Sequence, residues 1–428
     1  MNSKTKIFLK RLFQAYYKKY NTQIPVISSF NQREFGFIPW DKEIMIRHVG
    51  FESEEFLRNY LEKESPRHVF SSGTLYYKPD FPEMEFKGYK GCDLIIDIDA
   101  DHFYTPCKKD HDIWICKECG KMDKGTNEDH KCPECGSIKI KSLTWICDSC
   151  LNIAKNEITK LIYNFLIPDF GVDIKQLKIT FSGHRGYHLK IESERIRSLT
   201  SEERREISDY LTGNNISFEI LGLNIRSGNI FGFSKESIGW SHKILLEFEN
   251  LLSKSDIEIE QFLSKNEFNS NQIKSFLESK ELIRNNILSR EGRVWSIEGF
   301  HTLEQWTKFL KGIIKNVGVQ IDEPVTIDTH RLIRYPGTLH GKTGFRVQEI
   351  DLNYLKDFNP LNEHNENLDP IVFKVDEKVT QKLEIVEELV PLTEIKGEKY
   401  GPYQKGEIID VPHHIAVFLL CKEVAIKI

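Results

Sequence analysis

The chain has 428 residues, of which 39% are hydrophobic and 29% are charged. This length predicts two or three structural units, and the composition is typical of a globular protein. No run of 18 apolar residues occurs, so the sequence predicts no membrane span. The net charge of −5 argues against a surface that is basic overall. Nucleic acid would therefore have to be bound by local basic residues or with the help of a partner.

Hydrophobic periodicity predicts a helix over residues 5–20, a short strand over 33–37 and a helix over 54–63. The next stretch, Asp93–Asp101, is an apolar run with carboxylates at alternate positions near its end. In a strand, Asp97 and Asp99 would project from one face, about 7 Å apart at the backbone, while Leu94, Ile96 and Ile98 would fill the buried face. Two neighbouring carboxylates favour a divalent metal ion between them. Taken alone, however, an Asp-x-Asp pair is more often a solvated strand end.

A cluster of cysteines follows this strand. Seven of the nine cysteines lie between Cys107 and Cys150. In a chain whose first residues do not read as a secretory signal, this indicates metal binding in a reducing cytosol rather than disulfides. Two Cys-x-x-Cys-Gly knuckles predict one zinc ribbon, with ligands Cys116, Cys119, Cys132 and Cys135. A second tetrahedral set remains, made of Cys107, His111, Cys147 and Cys150, with His130 as an alternative ligand. Both zinc ions are predicted to be structural, because neither set leaves a position open for water.

A polar hairpin comes next. A helix is predicted over residues 151–165, followed by strands over 177–182 and 187–192. By strand parity Ser182 and His188 share the outward face, and Arg185 lies at the tip of the turn. These three side chains would suit a triphosphate beside a metal ion, although an ordinary polar turn is the simpler interpretation of the hairpin alone.

The second half of the chain begins with helical patterns over residues 199–209 and 253–289. A strand is predicted over residues 316–322, which puts Asp322 at its end, and a short helix over 326–333. A basic loop containing His340 leads into a strand over 345–350, and a last apolar helix is predicted over 413–424. Three strand-end acids, Asp97, Asp99 and Asp322, are suited to binding two Mg²⁺ or Mn²⁺ ions about 4 Å apart, the arrangement that promotes phosphoryl transfer.

Together these motifs resemble those of the small, catalytic subunit of DNA primases of the archaeal and eukaryotic type. The resemblance rests on Asp97-Ile98-Asp99, on Ser182-Gly183-His184-Arg185-Gly186-Tyr187-His188, and on Asp322 followed by Arg331-Leu332-Ile333-Arg334-Tyr335-Pro336-Gly337-Thr338-Leu339-His340. It also includes Cys147-Asp148-Ser149-Cys150 and the helix that follows. Residues 1–350 are covered, apart from the ribbon and the helical stretch.

The resemblance implies a mixed α/β fold, with a primase-polymerase core of mixed β-sheets flanked by helices, an inserted zinc-binding domain and a helical insertion. The expected segments are a discontinuous core (1–105, 170–250 and 290–360), a zinc module (106–150), a helical insertion (251–289) and a C-terminal extension (361–428). It further implies that Asp97, Asp99 and Asp322 are the catalytic metal ligands. The implied nucleotide phosphate contacts are Ser182, Arg185, His188, Arg334 and His340. The family's structural zinc site would be Cys107, His111, Cys147 and Cys150, and the ribbon goes beyond the minimal family pattern.

The expected activity is the synthesis of short primers from nucleoside triphosphates on single-stranded DNA, with a large regulatory subunit as partner. Ribonucleotides are the expected substrates, and deoxynucleotide use stays open. The expected compartment is the cytoplasm of an archaeal-type cell, or the nucleus of a eukaryotic one. Two alternatives remain: a primase-like polymerase for end joining or damage tolerance, and a zinc-ribbon nucleic-acid-binding subunit without catalysis.

Overall fold

The computed structural model describes residues 1–234, 236–289, 293–375 and 379–428. Within these ranges the α-helices are α1 (Ser3–Tyr20), α2 (Glu54–Glu64), α3 (Lys108–His111), α4 (Asp148–Lys160), α5 (Glu194–Arg197), α6 (Ser201–Thr212), α7 (Trp240–Ser253), α8 (Asp256–Lys265), α9 (Ser270–Glu278), α10 (Lys280–Asn286), α11 (Leu303–Val317), α12 (Glu323–Ile327) and α13 (His413–Cys421). None of them has the length and apolarity that crossing a membrane requires.

The strands of the same ranges are β1 (Phe35–Ile38), β2 (Ile46–Val49), β3 (His68–Ser72), β4 (Thr74–Tyr76), β5 (Tyr89–Cys92), β6 (Leu94–Asp99), β7 (Ile113–Cys116), β8 (Met122–Lys124), β9 (Ile140–Leu143), β10 (Leu177–Phe181), β11 (Gly186–Ile191), β12 (Asn224–Arg226), β13 (Asn229–Phe231), β14 (Leu332–Arg334), β15 (Gln348–Ile350), β16 (Thr380–Ile385), β17 (Leu389–Val390), β18 (Thr393–Ile395), β19 (Glu398–Tyr400), β20 (Tyr403–Gln404), β21 (Ile408–Pro412) and β22 (Ala425–Lys427). The mixed α/β class expected from the sequence is confirmed.

The chain divides into two compact units, one formed by residues 1–205 and 321–428 and the other by residues 206–320. The zinc module and the C-terminal residues lie in the first unit, and all the expected site residues belong to it. Residues 206–234, 236–250 and 293–320, all assigned above to the core, fall in the second unit together with 251–289. The expected core boundary at residue 290 lies outside the described residues.

Two antiparallel sheets build the first unit around the expected site. One has the strand order β15-β10-β11-β6, and the other has the order β14-β3-β1-β2. In the first sheet His188 lies opposite Asp97, and Gly186 lies opposite Asp99. Leu94, Ile96 and Ile98 of β6 are buried as expected, and helix α4 packs against β6 and β11. This apolar layer fixes the direction in which the polar ends of β6 and β11 point.

The zinc module consists of the small sheet β8-β7-β9 and the flanking helices α3 and α4. The Cys147 side chain caps the start of α4 by accepting a hydrogen bond from the Cys150 amide. The helix predicted over 151–165 therefore starts three residues earlier, and it continues as a π-helical turn over Leu161–Leu166.

The C-terminal residues of the first unit form the sheet β21-β16-β22 and helix α13. Every α13 residue from Ile415 to Cys421 is buried, and Phe418 stacks on Phe345 with a centroid separation of 5.7 Å. The last apolar helix expected from the sequence is thus a core element of the unit that carries the site.

The second unit is mainly helical, with α7 to α11 and the hairpin β12–β13. Its core is aromatic, with Phe248, Phe276, Trp306 and Phe309 in mutual ring contact. Three capping boxes, at Ser255, Asn269 and Thr302, begin α8, α9 and α11, and each satisfies otherwise unpaired amide groups of the first helical turn. The helical expectation for residues 253–289 is confirmed.

Two predicted elements around Asp322 are wrong. Residues 316–322 do not form a strand, because Asn316 and Val317 are the last residues of α11 and Gly318 ends that helix. The helix predicted over 326–333 is instead the short helix α12 followed by strand β14. Pro324 favours an earlier helix start, and Leu332–Arg334 pair with β3, a tertiary interaction that local periodicity does not reveal.

Candidate active site

Three carboxylates converge at the end of strand β6. Asp97 and Asp99 project from the same face of the strand, as expected, and both are partly buried. Asp322 joins them through the main chain, because its amide donates a hydrogen bond of 2.8 Å to the Asp97 carbonyl. Asp322 thus lies beside Asp97 although the strand that was expected to carry it is absent. The predicted strand over residues 316–322 is thus absent, and the main-chain hydrogen bond to Asp97 is what holds Asp322 beside the other two acids.

Gly186 allows strand β11 to approach this acidic end closely. A Cβ atom at Gly186 would lie 2.5 Å from the Ile98 carbonyl oxygen and 2.9 Å from the Asp99 Cα. Gly183 in the preceding turn has a φ of +83°, and a Cβ there would lie 2.6 Å from the Cβ of His340. The two glycines of the Ser182–His188 motif therefore let the turn pack against the acids on one side and against His340 on the other.

The electrostatics of the acid group fit a divalent cation. Burial, reinforced by the neighbouring Asp99 and Asp322 carboxylates, raises the pKa of Asp97 to about 8. Burial and Asp101 raise the pKa of Asp99 as well. Within the described part of the chain, Asp97 Oδ1 is buried without a hydrogen-bond partner. A buried oxygen that makes no hydrogen bond, with His188 Nε2 3.5 Å away and two further acids beside it, is suited to bind Mg²⁺ or Mn²⁺.

Basic and polar side chains surround the acids in a cavity of about 200 Å³. Four of the five residues expected to contact phosphates line it together with Asp97 and Asp99, namely Ser182, His188, Arg334 and His340. Among its other lining residues are three basic or imidazole side chains that were not singled out as site residues, His184, Arg331 and Lys342, and a further carboxylate, Asp101. Arg331 and His184 belong to the quoted motifs, and Lys342 lies in the loop described as basic, so a count of cations in these segments would have found them.

The histidines of this cavity are neutral at ordinary pH. Burial, with Arg334 nearby, lowers the pKa of His188 to about 3, and burial with surrounding cations lowers the pKa of His184 and His340 well below the usual range. Burial also lowers the pKa of Arg334, but only to about 10, so its guanidinium stays charged. The cavity thus offers neutral imidazoles together with cationic Arg331, Arg334 and Lys342.

Arg334 is held by strand β14 and its neighbours. Its Nη1 lies 2.8 Å from His68 Nδ1, and its guanidinium lies 5.1 Å from the centre of the Phe70 ring. Phe70 is also its partner in the sheet. These contacts orient a long, flexible side chain in advance, which lowers the entropy lost when the side chain binds an anion.

Arg185 is the one expected phosphate contact that does not line this cavity. Its side chain is 1% exposed, and the guanidinium makes a bidentate pair with Asp112 at 2.9 Å and 2.9 Å. It donates further to the Trp145 carbonyl at 2.8 Å and is paired with Asp101. The turn therefore directs Arg185 toward the zinc module, whereas Ser182 and His188 face the acids.

Both expected groups of zinc ligands are brought together. Cys107, His111, Cys147 and Cys150 form one group, and Cys116, Cys119, Cys132 and Cys135 form the other. The ligand atoms of each group lie within 4.8 Å of one another. Zinc–sulfur bonds of about 2.3 Å in a tetrahedron require sulfur atoms nearly 4 Å apart, and the thiols are separated by 3.3 Å (Cys107–Cys150) and 3.6 Å (Cys116–Cys135). His130, the alternative ligand, belongs to neither group.

A second cavity, of about 370 Å³, adjoins the acid-lined one and shares His188, Ile333 and Arg334 with it. Its other walls combine apolar side chains with charged and hydroxyl groups. The apolar ones include Pro25, Ile27, Ile95 and Pro336, and the polar ones include Lys178, Lys190, Glu192, Glu349, Ser71 and Thr180. The site as a whole thus has a charged compartment beside the acids and a less polar one next to it.

Comparison with known proteins identifies related chains over almost the full length. Residues 131–352 match the family described as DNA primase small subunit. The DNA primase small subunit PriS of Methanothrix thermoacetophila is 32% identical over 440 residues, which cover 99% of this chain and 98% of that protein. PriS of Archaeoglobus fulgidus is 32% identical over 98% of this chain and 97% of its own length, and PriS of Cenarchaeum symbiosum is 29% identical over 99% of both chains.

Proposed function

The chain belongs to the DNA primase small subunit family, it is a primase nucleotidyltransferase, and from the geometry of its site we infer how it acts. We propose that it makes short RNA primers de novo on single-stranded DNA, joining nucleoside triphosphates with release of pyrophosphate. The observation that carries this proposal is a cavity of about 200 Å³ in which Asp97 and Asp99 meet cationic side chains, with Asp322 anchored beside Asp97 although it does not line the cavity. Acids and cations that line one small cavity suit a metal-bound triphosphate.

Asp97, Asp99 and Asp322 are proposed to hold Mg²⁺ or Mn²⁺. The bound ions would lower the pKa of a primer 3′-hydroxyl and neutralise charge that develops on the phosphates. The raised pKa of Asp97 means that this carboxyl holds a proton until a cation replaces it, so cation affinity is expected to increase as the pH approaches 8. Asp322 extends the acid group on the side of Asp97, where its amide is anchored.

Ser182, His188, Arg334 and His340 are proposed to bind the triphosphate, with Arg331, Lys342 and His184 as additional contacts. The charged groups Arg331, Arg334 and Lys342 would bind the phosphate oxygens, and Ser182 and the neutral histidines would donate single hydrogen bonds. The nucleoside is then proposed to occupy the adjoining cavity of about 370 Å³, because that space is less polar and opens directly from the phosphate contacts.

Two structural zinc ions are proposed, one in each Cys or Cys/His group. Every position of each group is a protein ligand, which leaves none for a reacting water molecule. The proposed partners are single-stranded DNA template, nucleoside triphosphates and a large primase subunit. An acidic chain that works on DNA would benefit from a partner that supplies part of the template affinity.

The alternatives weighed for this chain are not favoured. A binding subunit without catalysis would not need a carboxylate with a buried oxygen that makes no hydrogen bond beside two more acids. A primase-like polymerase for end joining would extend an existing end, and it need not start a chain. Our proposal therefore predicts synthesis without a primer.

The test is an assay with single-stranded template, labelled ribonucleotides and Mg²⁺ or Mn²⁺, with and without the large subunit. Unprimed products are expected from the wild type and from Asp41→Asn, whose side chain is exposed, and none from Asp99→Asn or Asp322→Asn. Extension of annealed primers without any unprimed product would contradict initiation by this chain.

A further inference from the structure

The turn that carries Ser182 and His188 is fastened from behind by two buried basic residues, Arg185 and Lys422. Arg185 is 1% exposed and Lys422 is 8% exposed. Neither lines the acid cavity. Arg185 lies within the turn, and Lys422 directly follows helix α13. Both donate to consecutive carbonyl groups of one segment of the zinc module, Lys422 to Thr144 at 2.7 Å and Arg185 to Trp145 at 2.8 Å.

On the side of the zinc group, Arg185 reaches a metal ligand through one carboxylate. Asp112 accepts both of the 2.9 Å hydrogen bonds from Arg185, and its Oδ1 lies 2.8 Å from Nδ1 of His111. The same Oδ1 accepts a hydrogen bond from the Trp145 amide at 2.9 Å. His111 Nε2 faces the thiols of Cys147 and Cys150 at 3.3 Å and 3.5 Å. A metal-bound imidazole usually has its other nitrogen fixed in this way.

On the side of the nucleotide cavity, Lys422 contacts a histidine that lines it. Lys422 Nζ lies 2.6 Å from His184 Nε2, and the His184 ring stacks on His340 with a centroid separation of 5.4 Å and an interplanar angle of 10°. Lys422 also lies 5.7 Å from the centre of the Trp145 ring. Displacing the Thr144–Trp145 segment would therefore move both basic side chains and, with them, the tip of the turn at His184 and Arg185.

We propose that Arg185 and Lys422 are positioning residues that clamp the Ser182–His188 turn onto the Thr144–Trp145 segment. Through this clamp, nucleotide at the turn stabilises the binding of zinc by Cys107, His111, Cys147 and Cys150, and zinc stabilises the binding of nucleotide. Thr144 and Trp145 precede the ligand Cys147 by only three and two residues, and Asp112 directly follows the ligand His111. Movement of the ligands is thus transmitted through very short stretches of chain. The inference rests on the proposed function, since it takes the turn to be a nucleotide contact.

Reciprocity makes this coupling measurable as zinc release. If zinc improves nucleotide binding, then nucleotide must raise the affinity for zinc by the same factor. With an unchanged rate of zinc association, the higher affinity appears as slower zinc release. We expect a nucleoside triphosphate with Mg²⁺, without template, to slow the transfer of one zinc ion per chain to a chromogenic chelator about tenfold, within the usual range of coupling between sites. The ribbon zinc is the internal control, and it should leave at the same rate with and without nucleotide. The double variant Cys119→Ser and Cys135→Ser identifies which release phase belongs to the ribbon.

Two conservative substitutions remove contacts of the clamp and are designed to leave the fold intact. Asp112→Asn keeps an oxygen for His111 and for the Trp145 amide but loses the charge that pairs with Arg185. Lys422→Met keeps the length of the side chain. Both are expected to abolish the effect of nucleotide on zinc release and to raise the KM for nucleotide about tenfold with a smaller change in kcat, and Lys422→Arg should restore part of both. The matched control Lys427→Met, on the same terminal segment, should behave as the wild type.

Three results are decisive. If the wild type binds nucleotide and both zinc ions leave at unchanged rates, the coupling is refuted while the proposed function stands. If Asp112→Asn and Lys422→Met retain the slowed release, the clamp is refuted as its cause. If the wild type binds no nucleoside triphosphate at all, the proposed function fails, and this inference fails with it.

Discussion

Asp97→Asn separates the metal function of the acid group from its effect on stability. The pKa of Asp97 rises from 3.8 to about 8 in the folded chain. At about 1.4 kcal/mol for each tenfold change in proton affinity, ionising this carboxyl in the metal-free protein costs on the order of 5 kcal/mol more than in the unfolded chain. Because the folded-state pKa is raised, the folded protein binds the proton more tightly than the unfolded protein does. This stabilisation is full below pH 4 and is lost as the pH rises through 8.

Asparagine is neutral at every pH and fills nearly the same volume. We therefore expect Asp97→Asn to match the wild type near pH 5 and to be more stable by a few kcal/mol near pH 9. The assay is urea unfolding at pH 5, 7 and 9 in buffer without Mg²⁺ or Mn²⁺, with Asp41→Asn as the exposed control. Adding Mn²⁺ at about a hundred times its Kd should then stabilise the wild type by about 2.7 kcal/mol and the variant far less.

Two outcomes would refute this reasoning. A stability difference between wild type and Asp97→Asn that does not change with pH would mean that Asp97 is not the buried, proton-holding acid described above. Equal stabilisation of both proteins by Mn²⁺ would mean that the cation binds elsewhere.

Three further predictions concern the cavity, the zinc ions and the buried lysine. His188→Gln should raise the Kd for nucleoside triphosphate by about ten- to a hundredfold and change template affinity by less than about twofold. The control Lys382→Gln, at an exposed position of β16, should change neither. Loss of template binding alone would contradict the proposal that His188 binds the triphosphate. Metal analysis should return two zinc ions per wild-type chain and one for the Cys119→Ser and Cys135→Ser double variant, and a wild-type value of one or none would disprove the second site. Burial lowers the pKa of Lys422 to about 7, so the unfolded chain binds more protons than the folded chain between pH 7 and 10. In urea unfolding, the wild type should therefore gain stability relative to Lys422→Met by up to about 1.4 kcal/mol per pH unit in that range. If no such gain is measured, the Lys422 side chain is exposed to water and not buried.

Strand periodicity and cysteine spacing predicted most of the elements that matter for the site. The alternation in β6 predicted both the buried face and the shared face of Asp97 and Asp99, because a half-buried strand has little choice of orientation. The two ligand groups followed from Cys-x-x-Cys spacing, which confines two thiols to one turn. Patterns of this kind are local, and they predict the structure well where no tertiary contact favours a different conformation.

The failures occur where tertiary contacts decide between local alternatives. Val317, Val319 and Ile321 alternate as in a strand, yet Val317 also continues the apolar stripe of α11, and the helix prevails up to Gly318. Leu332–Arg334 look helical beside Arg331, but β3 offers them a hydrogen-bonded edge. A stretch of about seven residues does not distinguish helix from strand at these positions, since a helical and a strand pattern can both account for the same apolar residues.

Arg185 shows why a residue can belong to a recognised motif and still have contacts that the sequence does not predict. Ser182 and His188 flank the turn and face the acids through strand pairing, as His188 opposite Asp97 demonstrates. Arg185 lies at the tip, where strand parity no longer applies, and its direction is decided by what it meets. It meets Asp112, a carboxylate that His111 already orients, and a buried guanidinium is far more stable in that bidentate pair than unpaired. The same turn thus presents one face to the acids and joins the other, through Asp112, to the proposed zinc ligand His111. The position of the proposed phosphate contacts would then depend on a metal site outside the cavity.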